Sequence, residues 1–591
     1  MKNRKQFRII ALSILLIATL GGCTKKDAGE EQQKFDEFIN RQFVETMESD
    51  YMSTHVFLEH PENFGVDVSK IKVNLGERID TDHQEALKKE AEAVWDEFKD
   101  FDRSLLTDEQ KDTYDIYEYQ NKISHELSDD KFDYYQQLFE SMTGIHYQLP
   151  TLMSDWTLRN EQDVKDLITL VKDVKPYMEG AISYTKTQAE KGLLMIDIDS
   201  VKSYCDGIIE KGENSAVLTS MKESIDDLGL DEQSANTYKE QLTQAFVESF
   251  LPAYQDISDL MKELSKGTNN EEGLAKFKHG KEYFELLFQQ NIGSEKSISE
   301  VKKMLQDDMN ERIANMQKLM ASNPDILKAI LKNDMPVTNY TSYTDILDDI
   351  SKKIKDDFPE VDNLKYNIKN VNEEIASDSG IAAYFNIPSI DGNGVKQLRV
   401  NPRLGDINTI STYQTVSHEG FPGHMYQYGY MYEHQTSPYR KTLASSNAYT
   451  EGFAVYAQYF ASQYLTDIDQ NLLRFIKENE LVTYDIVILA DIGIHYEGWS
   501  FDKYKSFLQE NGIAMDDENT QMEYKQQQAN PACFEPYYVG FHELDKLKTK
   551  AMEALGEKFD DKAFHEAILT SGNAPFSVVE RNVTTYIDAN K

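Results

Sequence analysis

The amino-acid sequence predicts a mainly α-helical protein. Only 14 of the 591 residues are proline and 29 are glycine, and long stretches are rich in Glu, Lys, Leu and Ala, which favour helices. Hydrophobic residues make up 40% of the chain, which is enough to form a folded core. At this length we expect either two or more large cores or one large helical body.

The N-terminal segment predicts export and lipid attachment. Basic residues between Lys2 and Arg8 precede an apolar run from Ile9 to Leu20, which is too short for an ordinary membrane span but fits a signal peptide. The segment ends in Leu-Gly-Gly-Cys23, which resembles a bacterial lipobox with a lipidated cysteine. We therefore expect an extracytoplasmic protein that contacts the membrane only through lipid on Cys23. The alternative is a plain secretory signal with an incidental cysteine.

Helical spacing of apolar residues continues through most of the remaining chain. A helix that begins near Ser297 is expected to end at Asn323-Pro324, and Asp560 is expected to begin another near the C-terminus. The predicted divisions are a signal peptide at residues 1–22, a tether at 23–34, an N-terminal helical region at 35–290 and a C-terminal region at 291–591 that includes a hairpin at 380–401.

The hairpin is the one clear β element in the sequence. β-favouring residues at Ile381 to Ile387 and Gln397 to Val400 flank Asp391-Gly392-Asn393-Gly394, a strong turn signal. An exposed edge strand can pair with an extended peptide. The alternative is that the hairpin only covers one end of the core.

Two histidines and two glutamates form the clearest candidate site. His418 is followed directly by Glu419, and His424 and Glu451 come later in the chain. Imidazole and carboxylate groups are zinc ligands, and three protein ligands leave one position open for water. A glutamate beside such a site can accept a proton from that water. These residues predict a site for one zinc ion, although another divalent metal would suit the same ligands.

The spacing of the two histidines conflicts with a regular helix. The familiar metalloprotease signature has histidines at i and i+4, whereas His418 and His424 are at i and i+6. In a helix, six steps leave the side chains about 120° apart. Pro422 and Gly423 favour a kinked or unwound turn that would bring His424 back to face His418. The alternative is a loop with two chance histidines.

Charge and cysteine content bear on possible partners. The 102 acidic and 62 basic side chains give a net charge of −40. Such a surface repels phosphate backbones, so we expect no nucleic-acid partner. Cys205 and Cys533 are the other cysteines, and the sequence does not decide whether they pair or what the oligomeric state is.

Several segments of the chain are typical of one protein family. They are Ser417 to His424, Glu451 to Ala457, Asp491 to His495 and Pro531 to Gly540, with a weaker match at Asn63-Phe64-Gly65. These segments resemble the DUF885 family, bacterial helical lipoproteins and cytoplasmic relatives grouped with the gluzincin-like zinc-metallopeptidase clan. The resemblance implies a large helical, metallopeptidase-like body with an internal cleft and an HExxPGH signature.

The resemblance implies roles for the candidate residues around the metal. His418, His424 and Glu451 would be the zinc ligands. Glu419 would act as general base and then donate a proton to the leaving amine.

Three further residues are candidates for supporting roles. Asp491 and His495 are four residues apart, so they would share a helix face, and Asp491 could fix the tautomer of His495. By resemblance, His495 would bind the substrate carbonyl or the developing oxyanion, and Tyr537 would donate to the same oxyanion.

We therefore expect a lipid-anchored zinc-dependent peptidase that hydrolyses short peptides with metal-activated water. One alternative is a zinc amidohydrolase that acts on non-peptide or cell-wall amides. The other is a non-catalytic peptide-binding lipoprotein. Met425, Phe453 and Cys533 depart from the family pattern, which leaves the substrate preference open.

Overall fold

The computed structural model describes residues 26–79, 81–332, 334–371, 382–401, 403 and 405–591. The predicted signal peptide, Cys23 and the first residues of the predicted hairpin lie outside these ranges. Within them the fold is mainly α-helical with one small sheet, as the sequence predicts. No helix in the described ranges combines the length and apolar character needed to cross a membrane.

The first ten helices contribute to two hydrophobic cores. Phe38 and Phe98 pack in one of them with Tyr439 from later in the chain. The helices between residues 145 and 264 surround the other, the first core. Val164, Val171 and Met178 from one long helix are fully buried in this core, together with Phe246 and Tyr254. The helices are α1 Ala28–Ser49, α2 Tyr51–Phe57, α3 Thr81–Lys99, α4 Asp108–Leu127, α5 Ile145–Ser154, α6 Glu161–Glu190, α7 Ile198–Lys211, α8 Ala216–Asp227, α9 Glu232–Ala245 and α10 Leu251–Leu264.

The later helices surround a second core. Phe284, Tyr413, Tyr449, Phe453 and Tyr538 are fully buried in it. Phe284 precedes residue 290, so this core begins before the predicted region boundary. The helices are α11 Gly280–Ile292, α12 Ile298–Ser322, α13 Pro324–Lys332, α14 Tyr343–Lys353, α15 Ile410–Glu419, α16 His424–His434, α17 Pro438–Thr442, α18 Asn447–Ser462, α19 Gln470–Ile492, α20 Phe501–Glu510, α21 Asp517–Ala529, α22 Glu535–Leu555, α23 Asp561–Leu569 and α24 Phe576–Asn590.

Side-chain caps explain where several helices begin. Ser297 and Glu300 form a reciprocal capping box that starts α12, and the Asp560 carboxylate caps α23, so both predicted starts are confirmed. The predicted tether needs a correction. Asp27 caps α1 at Ala28, so residues 28–34 are helical, and Glu31 is buried there.

A three-stranded sheet precedes α15. Its strands are β1 Tyr366–Asn370, β2 Ala383–Asn386 and β3 Lys396–Val400, in the order β1-β3-β2. The antiparallel pairing of β2 with β3 confirms the predicted hairpin. β1 is parallel to β3 and was not predicted, because its sequence is short and mostly polar. Within the described residues β2 is therefore an edge strand.

The hairpin turn is attached to the N-terminal region. The Asp391 carboxylate accepts the N–H of Glu59 at 2.7 Å and the N–H of His60 at 2.8 Å. This contact fixes the end of the sheet against the helices of the first core.

Two helices of the second core cross with almost no side chains between them. A Cβ at Gly540 of α22 would lie 1.8 Å from the carbonyl oxygen of Ala448, and a Cβ at Gly452 of α18 would lie 2.3 Å from the backbone of Gly540. Only glycine allows backbones to approach this closely. The crossing brings together the parts of α18 and α22 that carry Glu451 and Tyr537.

Candidate metal centre

The chain leaves the helix completely between the two histidines. α15 ends at Glu419 and α16 begins at His424. Between them Gly420 has φ −100° and ψ −109°, and the Phe421–Pro422 peptide bond is cis. The sequence predicts a kinked or unwound turn at Pro422 and Gly423, and the structure has two helices joined by a tight turn there.

Gly423 lets this turn fold back against the end of α15. Its N–H donates to the carbonyl of Ser417 at 3.0 Å, and a Cβ at this position would lie 1.8 Å from the carbonyl oxygen of His418. The close approach turns the His424 ring toward His418, with ring centroids 4.8 Å apart and planes at 89°. The prediction that this turn brings His424 back to face His418 is confirmed.

Glu451 completes a cluster with the two histidines. Its Oε2 lies 3.5 Å from Nε2 of His418 and 3.4 Å from Nε2 of His424. Ligand atoms from the three side chains all lie within 4.8 Å of one another, so the cluster could hold a metal ion. The two imidazole side chains are 11% and 10% exposed and the glutamate side chain is 26% exposed, so the cluster is recessed but accessible.

The electrostatics of the cluster favour a positive charge. Burial lowers the pKa of His424, but the Glu451 carboxylate outweighs burial and raises that pKa to about 9. Burial raises the pKa of Glu451, but His424 and His418 together bring it well below its usual range. A buried carboxylate between two imidazoles stabilises a cation at this point, whether a proton or a metal ion.

Gln458 orients the ring of His418. The side-chain oxygen of Gln458 lies 2.9 Å from Nδ1 of His418, so Nδ1 carries the proton and Nε2 keeps its lone pair for a ligand. Gln458 was not predicted from the sequence. Its position seven residues after Glu451, two turns along the same face of α18, is the signal that would have found it.

Glu419 is attached to the edge strand and also lies near the cluster. Its Oε2 accepts the N–H of Phe385 in β2 at 2.9 Å, and its Oε1 lies 3.9 Å from Nε2 of His418. Burial raises the pKa of Glu419, and the two histidines oppose that increase. Phe385 was not predicted as part of the site, although the sequence placed the hairpin just before the histidines.

Tyr537 lies beside the cluster. Its ring centroid is 6.3 Å from that of His418, with the planes at 22°. The negative charge of Glu451, followed by burial, raises the pKa of Tyr537 well above its usual value. The phenol therefore keeps its proton and can donate a hydrogen bond at the site.

His495 is held by backbone groups instead of joining the cluster. Its Nδ1 accepts the N–H of Leu274 at 3.2 Å, and its Nε2 donates to the carbonyl of Gln527 at 3.1 Å. The ring is fully buried against Phe284, and burial lowers its pKa to about 4. Because both ring nitrogens are occupied, these contacts do not support the predicted role of His495 in binding a substrate carbonyl.

Asp491 also differs from its predicted role. Its Oδ1 is 3.5 Å from Nε2 of His495, which is too long for a good hydrogen bond. Its Oδ2 accepts the N–H of Ala532 at 3.2 Å. Burial and the neighbouring Glu535 raise the pKa of Asp491 well above its usual value. Asp491 therefore contacts the segment that leads into α22 and Tyr537 rather than fixing a tautomer of His495.

The cluster borders a cavity of about 1820 Å³, which corresponds to the predicted internal cleft. Both Glu451 and Tyr537 line it. Other lining residues come from α3, α6 and α11, so the cavity lies between helices of the two cores. Cys533 also lines the cavity, and Cys205 is buried in the first core; both are free thiols.

Solved structures support the fold, and a family model shows the family. A crystal structure of a candidate lipoprotein from Colwellia psychrerythraea is similar, with a TM-score of 0.81 and 17% identity over 95% of this chain and 99% of that chain. A candidate lipoprotein of unknown function from Shewanella oneidensis has a TM-score of 0.61 and 14% identity, over 94% and 99%. None of the curated proteins compared with the chain matches it. The family described as "Bacterial protein of unknown function (DUF885)" matches residues 65–583, so the chain belongs to the DUF885 family.

Proposed function

We propose that the protein is a zinc-dependent peptidase that hydrolyses short peptides. The observation that carries the proposal is the arrangement of His418, His424 and Glu451 on three separate helices, with Glu419 beside them. The assignment to the gluzincin-like peptidase clan belongs to the same proposal.

The distances within the cluster support a metal ion more than an ordinary ion pair. Hydrogen bonds between nitrogen and oxygen are usually about 2.7–3.2 Å. The two Nε2–Oε2 distances involving Glu451 are 3.5 and 3.4 Å, for His418 and His424 respectively. Tetrahedral zinc with bonds of about 2.0–2.2 Å separates its ligand atoms by about 3.3–3.6 Å. The two distances from Glu451 to the imidazole nitrogens therefore match the spacing of ligands around a tetrahedral zinc ion.

Each residue of the cluster and its surroundings would have its own role in peptide hydrolysis. His418, His424 and Glu451 would hold the ion, which when bound would act as a Lewis acid on the peptide carbonyl and the attacking water. Glu419 would take a proton from that water on a carboxylate oxygen and deliver it to the leaving amine. Tyr537 would donate a hydrogen bond from its phenol to the oxygen that gains negative charge.

The cavity supports short peptides as substrates. It has a volume of about 1820 Å³ and is bounded by helices of both cores. Such a space suits a short flexible peptide better than a folded domain. We also propose that lipid on Cys23 anchors the protein outside the cytoplasm.

Hydrolysis by purified protein tests the proposal. Zinc-loaded protein and Glu419→Gln are incubated with a library of short peptides, and cleavage is followed by mass spectrometry. We expect cleavage that is lost in Glu419→Gln while its zinc content stays the same. Glu566→Gln is the matched control, because Glu566 is an exposed glutamate that also follows a histidine. Cleavage of wall-derived amides alone would indicate the amidohydrolase instead. Peptide binding without cleavage would indicate the binding lipoprotein.

A further inference from the structure

One of the acidic residues that line the cavity lies on the segment between α4 and α5. Glu140 lines the cavity together with Glu451 and Tyr537. Burial raises the pKa of the Cys533 thiol to about 12, and negative charges on nearby carboxylates add to this increase. These carboxylates belong to Glu535, Glu140, Asp491 and Glu451. The cavity-lining thiol of Cys533 therefore lies within electrostatic range of both Glu140 and the candidate metal ligand Glu451.

Hydrogen bonds fix the segment that carries Glu140. The hydroxyl of Thr143 donates to the Glu140 carboxylate at 2.5 Å. The N–H of Met142 donates to Asn530 Oδ1 at 3.2 Å, and Asn530 Nδ2 donates to the hydroxyl of Ser141 at 3.0 Å. Asn530 belongs to the segment that leads into α22. The Glu140 segment is therefore attached to the chain that positions Tyr537.

Glu140 has no cation partner among the described residues, unlike Asp130 and Asp133 on the same wall of the cavity. Asp130 and Asp133 both pair with Lys88, at 3.0 and 2.8 Å. Burial raises the pKa of Glu140 to about 7, although the hydrogen bond from the Thr143 hydroxyl partly opposes this increase. A partly buried carboxylate without a cation carries a desolvation cost that a positively charged ligand would offset.

Aromatic rings line the same cavity as this carboxylate. Burial and the charge of Glu140 raise the pKa of Tyr283, which also lines the cavity. The ring of Tyr135 packs on Tyr283 with centroids 5.3 Å apart and lines the same space. A carboxylate next to aromatic faces is a suitable environment for an ammonium group, because both attract a cation.

We propose that Glu140, with Tyr283 beside it, binds a protonated amine of the substrate. The proposal rests on the proposed peptidase function, and it identifies the substrate class as peptides that carry an ammonium group. That group is either the α-amino terminus or a lysine side chain, since both present the same chemistry to a carboxylate.

Paired substrates and a charge-neutral variant test this proposal. Four peptides of one sequence carry either a free or an acetylated N-terminus, combined with either lysine or norleucine at one position. Wild type, Glu140→Gln and Glu126→Gln are compared by kcat and KM for each peptide. Glu126 is the matched control, because it is an exposed carboxylate on the wall of the same cavity.

The expected result is a selective change in binding. Loss of one charge-assisted hydrogen bond should raise KM for the recognised ammonium peptide about 10- to 100-fold in Glu140→Gln. KM for the neutral peptide should not change, and Glu126→Gln should behave as wild type. If the effect disappears on acetylation of the N-terminus, Glu140 binds the α-amino group. If it disappears when norleucine replaces lysine, Glu140 binds the lysine side chain.

Two outcomes would overturn the proposal. One is wild-type enzyme that cleaves neutral and charged peptides equally well, which needs no variant to observe. The other is a Glu140→Gln variant that changes KM equally for all four peptides. If wild type cleaves nothing, the peptidase function fails separately, and calorimetric titration of the four peptides into wild type and Glu140→Gln decides on the amine site alone.

Discussion

Replacing Gly423 with alanine should destroy the metal site. A Cβ at this position would lie 1.8 Å from the carbonyl oxygen of His418 and 2.6 Å from that of Ser417, whereas real Cβ atoms essentially never come closer than 3.0 Å. The turn must therefore move by about 1.2 Å, and the atoms in its way are backbone atoms that cannot rotate aside. Metal ligands tolerate displacements of only about 0.2 Å. We expect zinc affinity to collapse and stability to fall by about 1–3 kcal/mol.

Zinc titration against a competing chelator measures the first effect, and urea unfolding of the metal-free protein measures the second. Gly207→Ala is the matched control. Gly207 lies inside α7, and a Cβ there would meet nothing within 4 Å. That variant should keep its zinc affinity and gain about 0.5–1 kcal/mol of stability. Unchanged zinc affinity in Gly423→Ala would refute the argument that this close approach places His424.

Two further predictions concern buried polar groups. In Gln458→Leu, His418 loses the partner of its Nδ1, so zinc affinity should fall about 10- to 100-fold in the same chelator competition, and an unchanged affinity would contradict the orienting role. Burial and the neighbouring Asp308 raise the pKa of Asp485 from 3.8 to about 9, against the opposing charge of Arg312. The folded state therefore binds this proton more tightly than the unfolded chain, and wild-type stability should fall with a slope on the order of 1 kcal/mol per pH unit as pH rises between these two values. Asp485→Asn does not titrate, so its stability relative to wild type in urea unfolding should rise steadily from pH 5 to pH 8; a constant difference would show that Asp485 is ionised throughout.

The sequence predicted the helical fold because local signals and packing agree. Ser297 and Asp560 are strong helix caps, and both helices begin where they indicate. The antiparallel hairpin followed from its turn residues in the same way. The start of α1 at Ala28 was missed, because the cap Asp27 lies in a polar segment that resembles a tether. β1 was missed because its pairing with β3 is parallel and nonlocal, which a short polar sequence does not reveal.

The candidate site was predicted in part. Pro422 and Gly423 between the histidines were sufficient to predict that His424 returns to face His418, because proline disrupts a helix and glycine tolerates the torsions of a tight turn. The four-residue spacing of Asp491 and His495 suggested a pair, but tertiary contacts give His495 the backbone of Leu274 and Gln527 instead. Such partners come from distant parts of the chain, so spacing along one helix cannot predict them.

Anomalous diffraction at the zinc edge, from crystals of zinc-loaded protein, locates the bound metal. We expect one peak, about 2.0–2.2 Å from Nε2 of His418, Nε2 of His424 and a carboxylate oxygen of Glu451. Crystals of Gly423→Ala prepared in the same way should lack that peak. A wild-type map without a peak at these three side chains, or with zinc bound only elsewhere, would contradict the proposed metal site.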